Sequence, residues 1–282
     1  MNWRETPATL SRARAEQPLE FKGPKGALHG IFTPPAPDAS PASACVVFPG
    51  GPRSGVRRLP VLATRILAAE GFAALRFDLR GRGESAGEVA LPNRNEPLGE
   101  DVVAAIRHLR EAHGQKQFLL AGYCFSALSA LDSFKDEADA ISGMFFATAA
   151  VLEEKPGGPL GYSRAGSATS RLRSMVGRAR APKIRDSFEI SFRALACSHA
   201  RALFLYGEQD RLRAEFRVAE QALFSQLDSE ARGRLEIEIR AGRIHTIEGQ
   251  FAVIERAISW LRGFHPARSE SGTRRQPISQ ES

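Results

Sequence analysis

The stretch Leu119-Leu120-Ala121-Gly122-Tyr123-Cys124-Phe125-Ser126-Ala127-Leu128 decides how the rest of this chain is read. Phe118 to Ala121 reads as a short apolar strand, and a helix is expected to begin near Phe125. Small residues stand two before and two after Cys124. That spacing matches a nucleophile elbow, G-x-[S/C]-x-[G/S/A], a strained strand-to-helix turn around a reactive side chain. Strand and helix backbones approach closely there, so Gly122 and Ser126 must be small. Cys124 would stand at the carboxyl edge of a sheet with its sulfur at a helix N-terminus, a place that favours a thiolate. Cysteine is also among the most buried residue types, so a core cysteine fits the same letters. A second register, with Ser126 as nucleophile, puts Leu128 where a small residue is needed.

Outward from the elbow, strands and helices alternate. Leu19 to Lys22 and Ala27 to Phe32 read as an edge hairpin around Gly23-Pro24-Lys25-Gly26. Strands are predicted at Cys45 to Phe48, Ala73 to Phe77, Ile141 to Ala147, Ala202 to Tyr206 and Leu235 to Ile239. Helices are predicted from Leu59 to Glu70, Leu98 to Ala112, Glu215 to Leu227 and Glu248 to Leu261. Within the second of these, Val102, Val103, Ile106 and Leu109 fall at helical spacing. This alternation argues for an α/β fold, a mainly parallel sheet covered on both faces. Chemistry in such sheets gathers beyond the carboxyl ends of the strands.

The expected organisation is an irregular leader over 1–18, one domain over 19–265 and a disordered polar tail over 266–282. Residues 150–196, rich in Gly, Pro, Ser and Arg, interrupt the alternation and read as a small cap insertion over the catalytic edge.

With 282 residues, 43% hydrophobic and 25% charged, the composition is that of an ordinary soluble protein. No apolar run is long enough to span a membrane, and Met1 to Pro18 carries no apolar signal core. A cytoplasmic location is therefore expected. Cys45, Cys124 and Cys197 suggest no disulfide framework; Cys45 and Cys197 read as core residues. No Cys/His cluster has metal-ligand spacing, so no metal is predicted.

A cysteine nucleophile needs a base, and the base an orienting acid. His245 follows the strand at 235–239, in Ala241-Gly242-Arg243-Ile244-His245. Asp210 follows the strand at 202–206, in Tyr206-Gly207-Glu208-Gln209-Asp210. The order is nucleophile, acid, base. Glu208 is an alternative acid, and Glu153 or Glu154 a further one. His29, His108, His113, His199 and His265 lack such a placement. The oxyanion donors would be the backbone N–H groups of Phe125 and, in the loop Pro49-Gly50-Gly51-Pro52, of Gly51.

These residues together resemble the α/β-hydrolase superfamily over about residues 19 to 263. Phe48-Pro49-Gly50-Gly51, Asp78-Leu79-Arg80-Gly81-Arg82-Gly83-Glu84-Ser85, Gly122-Tyr123-Cys124-Phe125-Ser126 and Gly207-Glu208-Gln209-Asp210 occur in that order, with His245 after them. The resemblance implies an eight-stranded sheet, a cap after the sixth strand and no cofactor. More narrowly, Gly50 to Arg58 and the cysteine elbow look like hydrolases encoded beside exosortase systems, whose substrates are poorly defined. Two departures stand out. The usual histidine before the oxyanion glycine is Pro49, and the usual nucleophile serine is Cys124. Cysteine there is also similar to dienelactone hydrolases and polyester synthases.

The chemistry expected is acyl transfer through a Cys124–His245–Asp210 triad and an S-acyl intermediate, from an ester or thioester. The rival expectation is a non-catalytic protein of this fold that binds a ligand or partner. The net charge of +7 concentrates in part between Lys155 and Arg185, with eight Lys or Arg and no Asp or Glu. That stretch reads either as a solvated cap or as a docking surface for an acidic acyl carrier protein or coenzyme A phosphates. Arg171, Arg173, Arg178 and Arg180, with Arg53 and Arg57, are the candidate binding residues. No aromatic interleaving accompanies the charge, which disfavours nucleic acid.

Overall fold

In the computed structural model, residues 16–50, 59–88, 96–153, 183–244 and 247–265 are described. Eight strands form one sheet in the order β1-β2-β4-β3-β5-β6-β7-β8. They are β1 (Gln17–Gly23), β2 (Gly26–Thr33), β3 (Ala44–Pro49), β4 (Ala73–Phe77), β5 (Gln117–Tyr123), β6 (Ile141–Ala147), β7 (Arg201–Gly207) and β8 (Leu235–Arg240). The β1–β2 hairpin joins the sheet antiparallel, through β2 on β4. Every later pairing is parallel.

The period-two alternation of the central strands sorts side chains onto two faces. Cys45 and Val47 of β3, with Phe118 and Leu120 of β5, join one apolar cluster. That cluster is covered by α2 (Gly99–His113), α3 (Phe125–Asp132), α5 (Asp186–Ala196) and α6 (Arg211–Ala222). Val46 and Phe48, with Leu119 and Ala121, join the other, covered by α1 (Leu59–Ala69) and α8 (Ile247–Leu261). Two short helices, α4 (Phe134–Glu137) and α7 (Ser229–Arg234), fill corners. The α2 helix carries Glu100 and Asp101 in its first turn and Arg110 and His113 in its last, matching its dipole.

Three features depart from the sequence expectations. Cys197, read as a core residue, is exposed, because it caps the C-terminus of α5 rather than entering β7. His265, without a role in the sequence reading, is buried, and its Nε2 lies 2.9 Å from the Ser40 carbonyl oxygen. Within the span read as the insertion, Asp186–Ala196 is a helix whose Phe188 and Phe192 are buried in the core; Phe192 packs on Phe224 at 4.7 Å.

The segment after β6 leaves and returns through a narrow neck. Leu152 and Ile184 form an antiparallel bridge. The Glu153 N–H donates to Lys183 O at 2.9 Å, and the Arg185 N–H to Val151 O at 3.0 Å. Lys183, at the end of the basic run, is paired with Glu153 at 2.9 Å and Asp186 at 3.0 Å. The remaining insertion residues, the tail over 266–282 and residues 1–15 lie outside the described residues.

Candidate active site

β5 ends at Tyr123 and α3 starts at Phe125, leaving Cys124 alone in the turn. Its φ of 55° and ψ of −118° are values an L residue rarely adopts. Such strain costs about 1–3 kcal/mol and persists only where the surroundings over-determine it. Here the Cys124 N–H donates to Ala147 O at 2.8 Å, and its carbonyl accepts the Ala127 N–H at 3.2 Å. A Cβ on Gly122 would lie 2.4 Å from Ala127 Cα, so only glycine lets α3 come this close.

Ser126 is a fastener of the turn. Its hydroxyl accepts the Tyr123 N–H at 2.9 Å and donates to the Tyr123 carbonyl at 3.0 Å. Ser126 stands inside the first turn of α3 rather than in the strained turn itself.

The Cys124 side chain is half-buried. Burial pushes its thiol above the ordinary cysteine value; a hydrogen bond from the Phe125 N–H and the Arg82 guanidinium pull it down less, and Glu215 adds a small upward push. Among the described residues, then, the neutral thiol is favoured. Burial thus opposes the thiolate that the helix N-terminus favours.

Arg82 lies in the loop after β4. Its guanidinium carbon lies 5.0 Å from the Phe125 ring centroid. That loop is held by a buried pair: Asp101, fully buried, accepts the Arg80 backbone N–H and Nε, each at 2.7 Å. The Arg80 partner thereby fixes the path of the chain that delivers Arg82.

Thr148 carries no signal in the sequence. It follows β6, one position beyond the pairing of Tyr123 with Ala147, and so stands level with Cys124. Its φ is 52°, an outlier for a β-branched residue. Its side chain is fully buried, and its Oγ1 has no hydrogen-bond partner among the described residues. Next in the row, Tyr206 is buried, donates its hydroxyl to Ala149 O at 3.0 Å and stacks on Phe216 at 4.3 Å.

Asp210 ends the loop after β7 and is buried. Its Oδ2 accepts the Gly207 N–H and the Ile244 N–H, both at 3.2 Å. Ile244 immediately precedes His245. The loop of the predicted acid is therefore tied to the residue beside the predicted base. Glu208, by contrast, is exposed.

Of the predicted site residues, Cys124, Phe125 and Asp210 are placed at the carboxyl edge of the sheet. His245, Gly51, Arg53, Arg57, Arg171, Arg173, Arg178 and Arg180 lie outside the described residues. The first glycine of the predicted oxyanion loop is among the described residues. Gly50 has φ 124° and donates its N–H to Phe77 O at 3.1 Å; a Cβ there would stand 3.1 Å from Ser126 Cβ. Pro49, in place of the usual histidine, closes β3 in register with Phe77.

Beside the elbow, on the α1/α8 face, lies a cavity of about 100 Å³. Its lining includes Phe48, Tyr123, Ser126, Val253, Ile254 and Ala257. No group of three or more His, Cys, Asp or Glu among the described residues could hold a metal ion. No helix among them is long and apolar enough to cross a membrane.

Comparison with known proteins bears on the fold and the family. An esterase of Pyrococcus furiosus superposes with a TM-score of 0.58 at 18% identity, over 94% of this chain and 95% of that one. A Xanthomonas campestris protein described as an α/β serine hydrolase without a lid gives 0.56 at 16% identity, over 89% and 94%. A protein of Klebsiella pneumoniae described as a putative dienelactone hydrolase gives 0.56 at 16% identity, over 87% and 97%. No curated protein matches. The family model described as serine aminopeptidase, S33, matches residues 39–194. That match takes in β3 to α5, including the elbow, and so covers more than half of the chain: the protein belongs to this family of α/β hydrolases.

Proposed function

We propose that this hydrolase is an acyl-transfer enzyme that forms an S-acyl intermediate on Cys124, with His245 as base and Asp210 as its orienting acid. The observation that carries the reading is the backbone of Cys124, held at φ 55° between β5 and α3. Strain of this kind at the carboxyl edge of a parallel sheet is spent on presenting one side chain.

Because burial favours the neutral thiol, the proton leaves Cys124 during attack. His245 takes it as the sulfur bonds to the carbonyl carbon of an ester or thioester. The carbonyl oxygen becomes an oxyanion, held by the N–H groups of Gly51 and Phe125. Collapse re-forms the carbonyl and expels an alcohol or thiol, which takes the proton from His245. Water, or another acceptor, then attacks the S-acyl group with His245 again as base, and Cys124 recovers its proton. Arg82 is suited to a carboxylate or phosphate on the donor. The basic run from Lys155 to Arg185 supports an anionic carrier such as an acyl carrier protein or a coenzyme A thioester.

The resemblance to hydrolases encoded beside exosortase systems belongs to this reading. So does the esterase description of the Pyrococcus neighbour. The test is intact-mass analysis after incubation with acyl thioesters and p-nitrophenyl esters. One acyl group per chain, mapped to Cys124 and absent in Cys124→Ala, is expected. Acylation that survives Cys124→Ala would sink the assignment.

A further inference from the structure

The cavity on the α1/α8 face is not used by the chemistry above. Its wall takes in Gly122, Tyr123 and Ser126, which bracket Cys124 in the chain, and Phe48 and Pro49, which lead to the predicted oxyanion loop. The far wall is Val253, Ile254 and Ala257 of α8, and α1 contributes Pro60. The cavity thus lies between the nucleophile turn and the helix that follows His245 in sequence.

Its chemistry is apolar. Val253, Ile254 and Ala257 are buried members of the α1/α8 core cluster. The Ser126 hydroxyl accepts from the Tyr123 N–H and donates to the Tyr123 carbonyl. Gln250, Tyr123 and Ser126 are the polar residues in an otherwise apolar lining, so a polar headgroup would recover only part of its hydration here. An alkyl chain gains about fourfold in affinity for each methylene it buries.

The volume favours a short chain. A dry apolar cavity of about 150 Å³ admits benzene. One of about 100 Å³ admits a chain of about four carbons. We propose that this cavity is the acyl-chain pocket, and that the enzyme's donors carry a short aliphatic acyl group of about four carbons. The assignment rests on the Cys124 acyl-enzyme reading for its meaning, but its test does not.

Alkyl methanethiosulfonates probe the pocket without acyl chemistry. The Cys124 sulfur forms a disulfide with the reagent's alkylthio group as the reagent's S–S bond breaks, and methanesulfinate leaves with the thiol proton balanced by solvent. Methyl, butyl and octyl reagents are compared, and the rate at exposed Cys197 normalises for intrinsic reactivity. At Cys124 the butyl reagent is expected to outpace the methyl reagent at least tenfold, and the octyl reagent to fall below butyl. Ala257→Leu fills the cavity and should cut the butyl-to-methyl ratio at least fivefold. Ile254→Ala enlarges it and should move the optimum to a longer chain. A flat profile in the native protein, or a ratio unmoved by both variants, overturns the pocket even if a normal acyl-enzyme forms. Absence of any acyl-enzyme with the chain-length profile retained overturns the acyl-transfer reading and leaves the cavity as an alkyl site.

Discussion

Asp210 Oδ2 holds the backbone N–H of Ile244 at 3.2 Å and that of Gly207 at the same distance, so one buried carboxylate oxygen joins the loops after β7 and β8. Two kinds of loss are separable at this residue. Asp210→Asn keeps an acceptor for both amides, so the fold should survive, while acyl-enzyme formation should fall by about 10³–10⁴, the scale of losing an orienting carboxylate. Asp210→Ala leaves two buried N–H groups unmatched and should cost about 1–3 kcal/mol or more in stability as well. Urea unfolding and single-turnover acylation of the two variants check this; equal stability loss in both would mean that Asp210 is purely structural.

The thiol of Cys124 is raised by burial, so less of it is ionised at neutral pH than in an exposed cysteine. Its iodoacetamide reaction should inflect above pH 8.5, roughly the free-thiol value. At pH 7 the exposed Cys197 should react first, and Cys45, fully buried, only on unfolding. In His245→Ala the inflection should stay while acylation is lost, as fits a base that acts only during attack. Peptide-resolved rates from pH 5 to 10 test this. A Cys124 inflection below pH 7 would instead mean a preformed thiolate–imidazolium pair.

Thr148 combines a left-handed backbone with a fully buried hydroxyl that has no partner among the described residues. Thr148→Val removes the hydroxyl and keeps the shape. Since an unmatched buried polar group costs about 1–3 kcal/mol, the variant should be more stable by about 1 kcal/mol and unfold at higher urea. A loss of stability would show that the hydroxyl is matched in solution.

His113 sits against Phe32 with ring centroids 4.1 Å apart, and the His108 ring is 5.8 Å away. Burial first, and the neighbouring His108 second, hold its imidazole below the usual histidine value. The unfolded chain therefore takes up a proton more readily than the folded one, and stability should fall as pH drops through about 6.5. The urea midpoint should decrease from pH 7.5 to 5.5, and His113→Phe should flatten that decrease. An equally steep decrease in the variant would place the titrating group elsewhere.

The fold was legible because burial on both faces writes itself into the strands. Ala73 to Phe77 and Ile141 to Ala147 match their predicted limits, being short apolar runs bounded by turn residues. The α5 helix was harder. Phe188, Phe192 and Leu195 fall at helical spacing, but the surrounding Arg-, Gly- and Pro-rich sequence dilutes that signal. At the site, the elbow was readable from Gly122, Cys124 and Ser126 because its strain restricts residue types. The Arg82–Phe125 contact, the exposure of Cys197 and the desolvation of Cys124 were not. Each depends on what chain-distant neighbours bring to the spot, and no local spacing records that.

The bridge between Leu152 and Ile184 fixes where residues 154–182 depart and where they rejoin. Closing a loop of twice that length across the same two points would cost only about 0.6 kcal/mol more. The sheet is therefore nearly indifferent to what is spliced between 153 and 183.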